Sequence, residues 1–413
     1  MNITKLLFTV ISVFFLSQCA EPLPENTREK LAIWTEGHLD IHHINTANGD
    51  ATFFIFPDGT TMLFDLGGSK APLNHPEYFY LETNKQMTAA QIVANYIAAV
   101  HPNGKKTTLD YALISHFHPD HYGKINTDTK KMDSLGYYVT GITELEQYIP
   151  ITKVIDRAYP EYDIPKGLRD YNSADMMFDS YLKYIEERDK NGKVNEQLKP
   201  GIKNQIVLKS DLYPEFEVRN LKSNLVTWTG IEDETEERMF DFTQQMKNRG
   251  FSENPLSLAI QINYGDFDYF TGGDLTGFDW RNVFDTETPI AKATGEIDAI
   301  ALNHHGWHDA TNAYFMNTLH PNVVVSQSRH DPHFQFNPLE KVLNINADFY
   351  TNNLHEGVFN LFSEDLKKLV KGQNGHIVIR VSPQGSEYYV YVVEDGDFNL
   401  NILNKVGPYI SEK

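Results

Sequence analysis

The sequence predicts an α/β fold, and three observations predict it. Residues 38–68 read as short β-rich runs, HLDIHHI, ATFFIF and TTMLFDLGG, the last two reversed at Pro57-Asp58-Gly59. Residues 87–100 (MTAAQIVANYIAAV) carry apolar side chains at helical spacing with no Gly or Pro. A buried strand follows at 109–114 and runs straight into a cluster of histidines. Strand, helix, strand in that order is the pattern of an α/β domain.

Each further element has a local reason. The Asp-Gly turn at 58–59 is a hairpin signal because Gly supplies the positive φ. Between 159 and 199 the composition shifts to Tyr, Asp, Lys and Glu, with an amphipathic helix expected over 175–188; the segment reads as an insertion or lid. Strands are expected at 204–208, 216–219 and 224–229. The charge run at 232–238 (EDETEER) reads as a solvated loop or helix start. Residues 257–264 and 268–271 form a hairpin around Gly265-Asp266, and 299–302 is a short buried strand. A short helix is expected after Pro338, then a last hairpin over 375–393 turning near Pro383-Gln384-Gly385. No repeat of 20–50 residues is visible.

Composition narrows the chemistry. The 413 residues hold 56 Asp+Glu against 36 Lys+Arg, a formal charge of −20, with 16 His and one Cys. With 41% hydrophobic residues the chain can bury a large core. One Cys makes neither an intrachain disulfide nor a cysteine-rich metal site, so any metal must sit on His and carboxylates. The acidity argues against a long phosphodiester-gripping track, which needs Lys and Arg.

Residues 1–19 place Lys5 before an apolar run from Leu6 to Leu16 and end on Cys19. The run is about half the roughly 20 residues of a spanning helix, so it reads as a secretory signal. Leu16-Ser17-Gln18-Cys19 resembles a bacterial lipobox, with Gln18 where Gly or Ala is usual. The expected organisation is a signal peptide over 1–18, a lipid-anchored tether over 19–37 attached at Cys19, and one catalytic domain over 38–413. The expected address is the bacterial cell envelope, outside the cytoplasm.

Ser115-His116-Phe117-His118-Pro119-Asp120-His121-Tyr122-Gly123 is the informative segment. Side chains alternate along an extended chain, so His116 and His118 project to one side and can share a metal ion. Asp120 and His121, on the following turn, can face a second ion. This His-x-His-x-Asp-His cluster after a buried strand resembles the metallo-β-lactamase fold superfamily of metallohydrolases. The resemblance is nearest to the branch holding ComEC/Rec2 competence domains and the phosphorylcholine esterases of teichoic acids. Gly49-Asp50-Ala51 and Leu63-Phe64-Asp65-Leu66-Gly67 resemble that branch's opening. Thr271-Gly272-Gly273-Asp274-Leu275 and Asn303-His304-His305-Gly306 resemble its later ligand elements.

The resemblance implies an αββα sandwich of two mixed β-sheets flanked by helices, with the 159–199 segment inserted. It implies two divalent ions, zinc first and manganese or iron as alternatives, held by His116, His118, Asp120, His121, Asp274, His304 and His305. Asp65 would orient a ligand histidine. No His stands between the first cluster and Asp274; Asn254, in Asn254-Pro255-Leu256-Ser257-Leu258, either takes that place or leaves an open position. Asn337 stands where a late His would fall, leaving His330 or His333 to contact substrate. Asp120, His305 and His333 are the expected catalytic groups.

The function implied is hydrolysis of a phosphoester or phosphodiester by a metal-bound hydroxide in a secreted, lipid-anchored enzyme. One alternative is a β-lactam or lactone hydrolase on the same bimetal site. The other is a non-catalytic surface lipoprotein that binds a partner through a degenerate site. A small-molecule or envelope-derived substrate and the membrane are the expected partners, and a polynucleotide is disfavoured.

Overall fold

The turn at Pro57-Asp58-Gly59 closes as its composition dictates. Asp58 Oδ1 accepts from the Thr60 N–H (2.8 Å) and Gly59 takes φ 81°, so Thr52–Ile55 folds back antiparallel on Thr61–Phe64. The helix Ala89–Val100 starts on a capping box: Thr88 Oγ1 accepts from the Gln91 N–H, and Gln91 Oε1 accepts from the Thr88 N–H. Its Ile92, Val93, Tyr96 and Ile97 face the sheet. This computed structural model describes residues 28–47, 49–68, 87–126, 129–171, 175–239, 251–278, 284–327 and 336–412. The signal segment, Cys19, His330 and His333 lie outside them.

Two nine-stranded mixed sheets form the centre. In the first, Leu39–His43, Thr52–Ile55 and Thr61–Phe64 pair antiparallel, with His376–Val381, Glu387–Val393 and Ile402–Ile410 beyond Leu39–His43. Parallel pairing begins where Thr61–Phe64 meets Leu109–Leu113, and Ile151–Asp156 and Val194–Gln197 follow. The second sheet repeats the plan. Phe216–Ser223, Ala259–Tyr264 and Phe267–Thr271 are antiparallel, then Ala299–Ala301, Val323–Ser326, Asp348–Thr351 and Val370–Gln373 are parallel.

Alternation along the strands divides the core into layers. Phe54, Met62, Leu113, Ile260, Tyr269 and Val325 fill the space between the sheets. Phe53, Ile55, Leu63 and Val154 turn outward under the first helix layer, and Phe270, Ile300, Val324 and Phe349 turn outward under the second. Burying each such side chain is worth about 1.5–3 kcal/mol, so a one-residue slip of any central strand would exchange faces and forfeit several such terms. The result is an αββα sandwich of two mixed sheets flanked by helices.

Two expectations change. Residues 204–208 are not a strand; Gln205 there is tied by its side chain to the Lys199 N–H, the Gln197 carbonyl and Glu196. The charge run at 232–238 contributes an exposed edge strand, Thr235–Glu237, paired with Val226–Trp228. Residues 159–199 carry regular structure. They supply the helix Met176–Lys190 and the strand Val194–Gln197, which forms the edge of the first sheet beside Ile151–Asp156. Among the described residues no helix is long and apolar enough to cross a membrane.

Candidate metal centre

Each sheet offers a site at the place where antiparallel pairing passes into parallel pairing. Asp65 follows Thr61–Phe64 and His116 follows Leu109–Leu113; Asp274 follows Phe267–Thr271 and His304-His305 follow Ala299–Ala301. Carboxyl ends of strands at such a switch leave a crevice, because the chain departs in different directions on its two sides. Both crevices open on the same point.

Backbone contacts fix the metal-ligand loop before any side chain acts. The Asp120 carbonyl accepts from the Asp50 N–H (2.9 Å), the His121 carbonyl from the Leu66 N–H (2.9 Å), and the Asp50 carbonyl from the Gly67 N–H (2.9 Å). A Cβ at Gly67 would fall on the Asp120 carbonyl, and one at Gly49, where φ is 139°, would strike the same atom. The Gly residues of the two opening motifs therefore exist for close approach to Asp120. Gly273 (φ 54°) does the same for Ser115, whose Oγ would lie 2.6 Å from an added Cβ. Asp65 (φ 61°), His304 (φ 46°) and His305 (φ 53°) hold the left-handed conformation without being Gly, at a cost of order 1–3 kcal/mol each.

Every inward histidine but one has its Nδ1 side occupied by an acceptor. His121 Nδ1 donates to Asp65 Oδ2 (2.8 Å). His305 Nδ1 lies 3.0 Å from Asp50 Oδ1 and 2.9 Å from the Gln327 carbonyl. His304 Nδ1 lies 2.5 Å from Asp309 Oδ1. Ser115 Oγ gives its proton to Asp65 Oδ2 (2.6 Å), so it accepts from His116 Nδ1 (3.0 Å). With Nδ1 engaged, all four rings turn Nε2 toward Asp274, the arrangement that ligand histidines require. His118 is the exception, its Nδ1 lying 3.0 Å from His116 Nε2.

Asp274 stands in the middle. Its Oδ1 is 3.0 Å from His121 Nε2 and 3.5 Å from His305 Nε2, while its Oδ2 is 3.7 Å from both His116 Nε2 and His304 Nε2. His305 Nε2 is also 3.4 Å from Asp120 Oδ2. Among the described residues three sets close to within 4.8 Å: His116, His121 and Asp274; Asp120, His121 and His305; and Asp50, Asp274 and His305. His121 Nε2 and Asp274 Oδ1 are buried and make no hydrogen bond despite their separation. Buried polar atoms are seldom left so, and imidazole plus carboxylate is a donor set that zinc, manganese and iron accept. The residues around Asp274 fit a divalent metal.

The electrostatics agree. Burial opposes ionisation of Asp274, but His121, His305 and His304 outweigh it and hold the carboxyl well below its usual range. Burial likewise opposes charge on His121, yet Asp274 and Asp65 raise it well above the usual imidazole value; on His305, Asp50 and Asp274 do the same. His116 and His118 are pushed down by burial. Burial opposes charge on His304 too, but Asp274 and Asp309 raise it, so a cation entering here would compete with protons at His121, His305 and His304.

Of the residues singled out in the sequence, His116, Asp120, His121, Asp274, His304 and His305 converge, with His118 at the rim beside His116. The tandem histidines part company: His305 faces Asp120, and His304 lies on the opposite side, where Asn254 Nδ2 is 3.2 Å from its Nε2. Asp65 reaches two rings, His121 directly and His116 through Ser115. Asp50, Asp309, Ser115 and the Gln327 carbonyl also back these rings, roles not singled out in the sequence. Asp50 carried a signal, since it sits inside Gly49-Asp50-Ala51; Asp309 carried none.

No family model and no curated protein matches this sequence. Among solved structures, the chain overlaps a protein from Parabacteroides distasonis, provisionally described as a metal-dependent hydrolase, at TM-score 0.36 and 10% identity, over 78% of this chain and 97% of that one. It also overlaps CmlA, a diiron β-hydroxylase from Streptomyces venezuelae, at TM-score 0.38 and 12% identity, over 84% of this chain. The overlap spans about half of the latter enzyme, 55% of its length.

Proposed function

We propose that the protein is a metal-dependent hydrolase of a phosphoester or phosphodiester, lipid-anchored through Cys19 outside the cytoplasm. One observation carries the reading: the two oxygens of a single buried carboxylate, Asp274, each face a pair of imidazole Nε2 atoms. His116, His118, Asp120, His121, His305 and Asp274 would hold the metal. A metal bound there would supply Lewis acidity toward a phosphoryl oxygen and lower the pKa of a bound water.

The chain's own groups do the rest. Asp65, Ser115 and Asp50 keep the ligand rings in one tautomer, and the Gly49 and Gly67 cradle keeps Asp120 in place. His304, backed by Asp309 and only partly buried, is the imidazole available to a leaving group on the open side next to Asn254. The N-terminal pattern supports the address, and the acidity supports a small or envelope-derived substrate over a polynucleotide.

The test begins with metal analysis of purified protein, then bis-nitrophenyl phosphate and nitrocefin assayed side by side. Two equivalents of metal, with phosphodiester turnover abolished by Asp274→Asn, are expected. Turnover of nitrocefin alone would move the substrate to strained carbonyls. Metal without turnover would make the protein a binding lipoprotein, and less than half an equivalent would end the metallohydrolase reading.

A further inference from the structure

Phe117 lies between the two histidines of His116-Phe117-His118, and its surroundings are unlike those of a loop residue. Neighbouring side chains on an extended segment point in opposite directions, so while His116 and His118 face the centre, Phe117 faces away. Its ring meets Phe178 (4.9 Å), Tyr181 (5.3 Å) and Tyr162 (6.0 Å), all from the 159–199 segment. The guanidinium of Arg157 lies 4.6 Å from its centre. The Phe117 N–H points to Glu253 Oε1 (3.4 Å), the same oxygen that accepts from Arg157 Nε (2.6 Å) and lies 2.5 Å from Nη2.

Arg157 is fully buried and Glu253 nearly so. The guanidinium also donates through Nη1 to the Ile164 carbonyl and to Asn224 Oδ1, both at 2.8 Å. Glu253 is followed by Asn254, which touches His304. Beneath that turn the buried Lys222 Nζ donates to the carbonyls of Asn224 (2.6 Å), Pro255 (2.6 Å) and Ser257 (3.2 Å). Ser257 Oγ in turn accepts from the Asp274 N–H (3.2 Å). One connected set of buried side chains thus grips the peptide between two ligands, the Asn254 turn and the backbone of the central carboxylate.

We propose that the buried Arg157–Glu253 pair is a positioning device for the metal centre, acting through Phe117 to aim His116 and His118. The inference rests on the metal reading above and adds to it residues that touch no ion. A buried ion pair is by itself weak evidence for stability, since apolar replacements are often neutral. What distinguishes this one is its hold on the ligand loop, where a ring must be kept within about 10–20° of its productive direction. The pair Arg188–Glu146 serves as a comparison: it is as buried, with a 2.5 Å contact, and its partners are Tyr184, Lys193, Asn195 and strand-end carbonyls, none of them in the ligand loop.

The experiment measures zinc and cobalt binding to metal-free full-length protein by competition with a chromophoric chelator, beside thermal unfolding of the same samples. The variants are Arg157→Met/Glu253→Leu, Arg188→Met/Glu146→Leu and Phe117→Leu. Expected is a loss of at least 10-fold in affinity for the more weakly bound ion in the first and third, with an altered cobalt ligand-field spectrum. The second should stay within 2-fold of the parent. Should Arg157→Met/Glu253→Leu not fold, Phe117→Leu decides, because it leaves the ion pair intact. Parent-like affinity and spectrum in the folded variants would overturn the inference, as would equal losses in both ion-pair variants. Failure of the unsubstituted protein to bind metal would overturn the functional reading itself, so the two failures are told apart.

Discussion

Replacing Asp65 with Asn should cost metal affinity far out of proportion to its size. The carboxylate accepts from the Ser115 N–H (2.7 Å), the Ser115 hydroxyl (2.6 Å) and His121 Nδ1 (2.8 Å). If the Asn oxygen keeps the Ser115 N–H, its amide hydrogens face two former donors. Ser115 Oγ must then accept, and it turns its own proton to His116 Nδ1; His121 Nδ1 must accept as well. Both rings change tautomer, and each Nε2 that had offered a lone pair to the centre now carries a hydrogen. Loss of such support costs 10- to 100-fold per ligand, so two ligands imply about 10²- to 10⁴-fold, or about 2.7–5.5 kcal/mol. The assay is chelator competition on metal-free protein at pH 7.5, with circular dichroism as a check of fold. A folded Asp65→Asn protein within threefold of the parent would refute the tautomer argument.

Other outcomes follow from the same structure. Gly67→Ala places a methyl on the Asp120 carbonyl and should abolish stoichiometric metal binding, read by metal analysis after desalting; full occupancy would mean the cradle is not needed. Burial raises the Asp40 carboxyl but Arg380 outweighs it, lowering it to about 2 from 3.8, which corresponds to about 2 kcal/mol of stability. That contribution is present above pH 3.8 and lost as pH falls toward 2, so urea unfolding should find Asp40→Asn less stable by at least that amount at pH 7 and the gap narrowing at pH 3. Burial lowers His376 to about 3, so its stabilising effect is full above pH 6.5 and declines as the unfolded chain takes up a proton. Its Nδ1 accepts from the Asn45 N–H (2.9 Å). His376→Gln, which can keep an acceptor there, should flatten the loss of stability between pH 7 and pH 5 by about 2 kcal/mol; an unchanged pH profile would count against it.

What could be read in the sequence was what the chain encodes locally. His116, His118, Asp120 and His121 lie within six positions, and the Asp-Gly and Gly-Asp turns declare their hairpins through backbone chemistry alone. Pairing was not legible, because Leu39–His43 meets His376–Val381 across more than three hundred residues and no local pattern chooses that partner. The roles of His304 and His305 diverge only once both adopt positive φ, which turns adjacent rings to opposite sides. Asp50 and Asp309 gain their roles from the rings they meet, and any turn Asp would look the same. Residues 204–208 had the composition of a strand, but Gln205 engages neighbouring backbone through its side chain instead.

The repeated plan of the two sheets has a consequence for folding. Asp65, His116 and His121 belong to the first sheet and Asp274, His304 and His305 to the second, so neither half carries the centre alone. The binding site comes into existence only when the two layers dock in the correct register. Metal uptake during refolding should therefore lag behind the appearance of β structure and coincide with burial of the residues between the sheets. An inorganic ion would thereby serve as a reporter of the final step of assembly.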